Sequence, residues 1–92
     1  MSVKPEDVEL HKEGMPGKDD KEGLVKLVGE GRVEGNNWQS AYNQARVNLT
    51  KIAAKKGVRK AYYFDQIAEM PSDISYEVTV AAWYDPNTIE KN

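Results

Sequence analysis

His11 is the only histidine in the chain, and cysteine is absent. One imidazole and no thiol exclude a thiolate zinc site, a cysteine nucleophile and a disulfide framework. A hydrolytic triad needs a nucleophile placed beside its base, and none accompanies His11, which sits in a stretch without apolar periodicity. The run Gly29-Glu30-Gly31-Arg32-Val33-Glu34-Gly35 stands between an apolar segment and a helical pattern, where a phosphate-binding loop would lie. Its spacing is one residue longer than the dinucleotide fingerprint, and Glu30 and Glu34 would repel a pyrophosphate. No second βαβ unit follows, so these glycines are read as bulges or as places where a helix approaches the backbone closely.

Two charged groups remain. Lys51, Lys55, Lys56, Arg59 and Lys60 gather next to Tyr62-Tyr63-Phe64, a mixture that can hold single-stranded nucleic acid through phosphate contacts and stacking. The lysines are already accounted for by the negative end of a helix dipole, and a pI of about 5.4 supplies no global attraction. Nucleic acid is therefore not the expected partner. Asp65, Glu69, Asp73 and Glu77 surround a turn without an acid–base pair or a cavity-forming element, so the chain is read as non-enzymatic. The sequon Asn48-Leu49-Thr50 falls within a helical pattern and is given no role.

The elements that position these residues are legible from spacing. Leu24 to Val28 reads as a strand that the glycine run prolongs. Asn36 with Gln39 makes a capping-box pattern, Asn37 is an alternative cap, and Trp38, Ala41, Tyr42, Ala45, Leu49, Ile52 and Ala53 form an amphipathic stripe. The helix is predicted over about residues 37–56, ending at Gly57 in a left-handed conformation. Val58 to Met70 is a second strand, with Tyr62 and Phe64 on one face, Tyr63 on the other and a bulge around Asp65-Gln66. Ser75 to Tyr84 alternates, with Tyr76, Val78, Val80, Ala82 and Tyr84 facing the helix. The expected fold is α+β: one helix on a three-stranded antiparallel sheet, in the order β-α-β-β.

That arrangement leaves the opposite sheet face carrying Lys26, Tyr63, Glu77, Thr79 and Trp83. Trp83 in mid-strand is costly to leave in water, so this face is expected to assemble into a homo-oligomer or to receive a ligand, with Tyr63, Glu77, Thr79 and Trp83 as the contact set. A lone surface aromatic, or one shielded by the N-terminal segment, is the plainer alternative, and capture of a protein partner by a sheet edge or by the Trp83 face is another.

A chain of 92 residues holds one small domain. Residues 1–23 contain four Lys against seven Asp and Glu, a balance of −3, while the remainder stands at +1. The segment 1–23 is read as a flexible acidic arm, with Val8-Glu9-Leu10-His11 as an alternative edge strand. Residues 24–86 are the domain and 87–92 a tail. No apolar run approaches a membrane span, and Met1 to Pro5 does not open a signal peptide. The expected setting is therefore cytoplasmic, or periplasmic if a signal has been removed.

Two resemblances follow from local strings. Leu24-Val25-Lys26-Leu27-Val28-Gly29, the helix opening at Trp38 with Ala41 and Ala45, and Tyr76-Glu77-Val78-Thr79-Val80 resemble the dodecins. These are small flavin-binding proteins built as hollow dodecamers of β-α-β-β subunits. The resemblance implies a flavin cofactor, with Tyr62 or Tyr63 in the region of the family's stacking Trp and Glu77 at the position of its Gln. A carboxylate accepts hydrogen bonds where an amide also donates, so Glu77 departs from the family pattern. Ala53-Ala54-Lys55-Lys56-Gly57, Tyr62-Tyr63 and Ala81-Ala82-Trp83-Tyr84 are similar to the small periplasmic stress-response proteins of enteric bacteria. That likeness implies an interaction module and an export signal.

Overall fold

The computed structural model describes residues 3–89. Its elements are β1 (Glu9–Leu10), β2 (Val25–Glu34), α1 (Trp38–Lys55), β3 (Lys60–Pro71) and β4 (Ser75–Tyr84), with single 3-10 turns at Pro5–Asp7 and Pro86–Thr88. One sheet runs in the order β1-β3-β4-β2. The pairs β2–β4 and β3–β4 are antiparallel, whereas β1 lies parallel to β3.

The α+β class and the β-α-β-β core order hold, but the sheet has four strands of mixed direction rather than three antiparallel ones. The extra strand comes from the acidic N-terminal segment, at the position of the alternative edge strand. Glu9 N–H donates to Arg59 O (2.8 Å) and His11 N–H to Ala61 O (2.9 Å), while Phe64 and Tyr63 N–H groups donate to His11 O and Glu13 O (2.9 and 3.0 Å). Val3 is buried, and Val8 and Leu10 pack against the core. A period-based reading undervalues such a segment, because its few apolar residues gain their burial from surfaces that other elements supply. At the other end, residues 87–89 complete and follow the last 3-10 turn; positions 1–2 and 90–92 of the expected arm and tail lie outside the described residues.

Local signals set the ends of α1. Asn37, the alternative cap, is the N-cap rather than Asn36 with Gln39, its side chain accepting from Ser40 N–H at 3.2 Å. At the C-terminus Gly57 takes φ +81°, with Gly57 N–H bonded to Ala54 O (3.0 Å) and Val58 N–H to Ala53 O (2.8 Å). These are the two bonds of a Schellman motif, and Val58 and Ala53 meet in the core beside it. Gly57→Ala forces a Cβ into the left-handed region. The expected loss is about 1–2 kcal/mol, read as a lower midpoint in a thermal melt followed by circular dichroism.

The buried column of α1 is Ala41, Ala45, Leu49 and Ala53, a strict four-residue repeat joined by Ala54. Trp38 and Ile52, expected on the same stripe, are 53% and 38% exposed. The stripe is narrower than its hydrophobicity because the partner surface is glycine. A Cβ on Gly29 would meet Leu49 Cβ and N at 2.7 Å, besides Ala45 O. On Gly31 it would strike Ala41 O and lie 2.5 Å from Ala45 N. The helix backbone thus rests directly on β2, leaving no room to enclose side chains at the margins of the stripe. Gln44 and Asn48, one turn apart beside this column, reach past the edge of the sheet. Arg32 N–H donates to Gln44 Oε1, and Asn48 Nδ2 donates to Glu30 O at 2.6 Å. The outer edge of β2 is blunted there by helix side chains.

On β4 the alternation holds throughout. Tyr76, Val78, Val80, Ala82 and Tyr84 are all buried in the core. Strand β3 departs from expectation. Ala61 and Phe64, three apart, both enter the core, and the register slips between Tyr62 and Asp65 and again between Gln66 and Ala68. Tyr62 stands opposite Trp83, so it shares the helix-free face and not the face of Phe64. The extra residue is absorbed by Tyr63 at φ +59°. Two irregularities thus flank Asp65-Gln66 instead of one bulge within it.

Candidate functional site

Residues directly opposite one another in an antiparallel register share a face. The helix-free face therefore reads in rows across β2, β4 and β3. Lys26, Trp83 and Tyr62 make the first row; Val28, Ala81 and Asp65 the second; Glu30, Thr79 and Ala68 the third; Arg32, Glu77 and Met70 the fourth. The expected contact set occupies this one face, but it does not converge. At roughly 3.3 Å per residue, Thr79 lies about 13 Å from Trp83 and Glu77 about 20 Å.

The two ends differ in chemistry. At the first row Tyr63 joins Trp83, their ring centroids 6.4 Å apart and their planes at 86°. Lys21 Nζ is 3.9 Å from the Trp83 centroid and 5.2 Å from that of Tyr63, and Lys26 Nζ is 5.6 Å from Trp83. The N-terminal segment accordingly shields Trp83, which is half-buried. At the fourth row Arg32 and Glu77 form an exposed ion pair at 3.6 Å, too wet to contribute much stability. A depression of about 320 Å³ lies beside this row, lined among others by Glu30, Arg32, Ala68, Met70 and Glu77.

The remaining candidates are separated from this face or engaged locally. The His11 ring stacks on Tyr62 (centroids 5.4 Å, 17°), which ties the β1 segment to β3, and its Nε2 is 3.8 Å from Glu9 Oε1 within that segment. The glycine run from Gly29 to Glu34 lies within β2 and not in a loop before the helix, with Arg32 N–H held by Gln44 and Gly35 N–H by Ile74 O. Lys51, Lys55, Lys56 and Lys60 are exposed around the end of α1 and the start of β3. Of the hairpin carboxylates, Asp65 accepts from Gln66 N–H (2.8 Å) and Glu69 from Gln66 Nε2 (2.9 Å). Asp73 lies in the β3–β4 turn. Among the described residues no three His, Asp or Glu side chains are grouped to hold a metal ion, and no helix is long and apolar enough to cross a membrane.

Sequence reasoning missed Lys21 and Gly14. A Cβ on Gly14 would lie 2.7 Å from Tyr63 Oη, so the chain passes in contact over that ring. Leu24 N–H donates to Lys21 O (3.0 Å), which fixes Lys21 at the turn entering β2. The run Lys18-Asp19-Asp20-Lys21-Glu22 carries no local signal for this, since the partner rings are remote in sequence. Comparison with known proteins adds no family: no family model and no curated protein matches the chain.

Proposed function

We propose that the protein is a non-enzymatic binding and assembly module that associates with itself through the helix-free face of its sheet. The observation that supports this reading is the shape of the chain, 43 × 30 × 14 Å between Cα atoms. Fourteen ångströms is the depth of one sheet and one helix, so the second sheet face has no layer of its own beyond the arm residues at Trp83. Its middle rows present Val28, Thr79 and Ala68 around the buried Ala81, rimmed by Lys26, Glu30, Arg32, Asp65 and Glu77. Small apolar groups within a rim of both charge signs suit a self-complementary contact. A flat aromatic ligand such as a flavin, stacked on one of the two perpendicular rings of Tyr63 and Trp83 with the other at its edge, belongs to the same reading. Glu77 would reach such a ligand only from a second copy.

Light scattering on an eluting sample tests assembly, and a visible absorbance spectrum after incubation with flavin tests the ligand. The expected mass is a multiple of the single chain. Thr79→Glu sets a carboxylate beside Glu30 at the middle of the face and should weaken association by about tenfold or more, leaving the helix signal unchanged. A wild-type mass of one chain at high concentration would overturn the proposal.

A second reading is favoured by one feature of β3. The arm's backbone bonds reach only as far as Phe64, and β1 pairs no further than Ala61. Beyond them the outer edge of β3 has no strand beside it among the described residues, next to Ile67 and Met70, which are 45% and 66% exposed. On this reading the edge adds a strand from a protein partner.

A further inference from the structure

We propose that the right-angled corner of Tyr63 and Trp83 is a receptor for an organic ammonium group, and that Lys21 occupies it in cis. The Lys21 ammonium stands over both rings, 3.9 Å from one centroid and 5.2 Å from the other. Two perpendicular rings around one cation form part of the aromatic enclosure by which alkylated ammonium groups are recognised.

Two further observations show that the corner is built. Tyr63 adopts φ +59°, a conformation that bulky side chains avoid, and it is this backbone turn that accompanies its ring's placement against Trp83. At the phenol tip the arm passes so closely that a Cβ on position 14 would lie 2.7 Å from Tyr63 Oη. A cleft of about 380 Å³ opens here, and Asp65 and Ile67 line it with the two rings, Lys12 and Lys21. Asp65 supplies a counter-charge; Lys12 and Lys26 on the rim offset it, so affinity rests on the rings rather than on net charge.

The ligand class follows from hydration. A primary ammonium is strongly hydrated, and Lys21 stays between the rings because its own chain presents it there at high effective concentration. A quaternary ammonium is held less tightly by water and brings methyl groups to the ring faces, so it replaces Lys21 without being tethered. Either a free small molecule or a trimethylated lysine side chain carries that group. Every group named belongs to one chain, and because self-association through Trp83 would cover the corner, the titration is run at a dilution where light scattering gives the mass of a single chain.

The test uses the full chain carrying Trp38→Phe, so that Trp83 is the only indole reporting. Tetramethylammonium should change the emission saturably, while 3,3-dimethylbutanol, the neutral isostere of choline, should not. Lys21→Gln, which removes the resident cation, should tighten tetramethylammonium binding by about five- to tenfold. Tyr63→Asn removes one ring while keeping a residue that tolerates positive φ, and it should weaken binding with the far-UV spectrum unchanged. Tighter binding of choline than of a trimethyl-lysine peptide assigns the site to small cations, and the reverse order assigns it to protein tails. The proposal is overturned by no saturable response in both the parent and the Lys21→Gln chain, by an equal response to the neutral isostere, or by an affinity that Lys21→Gln leaves unchanged.

Discussion

Gly31→Val is expected to yield a chain that no longer holds its helix on its sheet. A Cβ at position 31 would meet Ala41 O, Ala45 N at 2.5 Å and Gln44 Cβ at 3.0 Å. The first two are helix backbone, which cannot rotate aside as a side-chain tip can. Accommodation therefore requires lifting α1 off β2. That movement would open the contact of Leu49 with Gly29 and break the bonds from Arg32 N–H to Gln44 and from Asn48 to Glu30 O. Overpacking a core by a few methylenes costs typically 1–3 kcal/mol, and a clash with fixed backbone on the order of 3 kcal/mol or more. Against a total stability of about 5–15 kcal/mol for a domain, this removes much of the margin. Urea denaturation should show a large fall in midpoint or no folded baseline. Gly35→Asn is the control: Gly35 has φ +83°, unlike Gly31, but nothing lies within 4 Å of its Cβ position, and Asn tolerates that conformation, so stability should change little. A wild-type midpoint for Gly31→Val would mean that the helix does not rest on β2 there.

Trp83→Ala should release single chains from the assembly while α1 remains formed. The core face of β4 is carried by Tyr76, Val78, Val80, Ala82 and Tyr84, none of which the substitution touches. What is lost is the edge contact with Tyr63 and the seat of Lys21. Because Trp83 is half-buried within one chain, the cost to the folded protomer should be about 1–2 kcal/mol, well below that of a core aromatic. Removing an aromatic anchor from an interface costs on the order of 2–4 kcal/mol, which shifts association by about 30-fold or more. The elution profile and far-UV spectrum together read both effects. An unchanged mass with only a small loss of stability would place the self-association surface away from Trp83.

Much of the core was legible because its signals are local. The N-cap Asn37, the left-handed Gly57 and the four-residue spacing of Ala41, Ala45, Leu49 and Ala53 are short-range consequences of helix geometry. The alternation from Tyr76 to Tyr84 is a short-range consequence of the pleat. Even the contact between the glycines of β2 and the helix could be anticipated, since Gly29 and Gly31 fall on the face shared with Leu27. Strand β3 was harder. Period two has no memory across an inserted residue, so the slip at Tyr63 changed the face of Tyr62 without any change in residue type that would announce it. The candidate contact set suffered differently. Its members lie on one side of the sheet, but alternation says nothing of distance along the strand, and Glu77 stands about 20 Å from Trp83.

By itself the sequence determined the helix, its C-terminal glycine cap, the two long antiparallel partners and the absence of thiol chemistry, because each depends on residues within a few positions of one another or on composition alone. Only the tertiary structure decided that the acidic N-terminal segment adds a parallel fourth strand and sets Lys21 over Trp83. A two-residue strand has too little periodicity to be read, and its stability comes from the exposed edge of β3 and from the surface of α1, which exist only once the rest has folded. The segment's apolar residues are ordered by burial against partners distant in sequence, and a cation finds an aromatic face through space rather than through spacing.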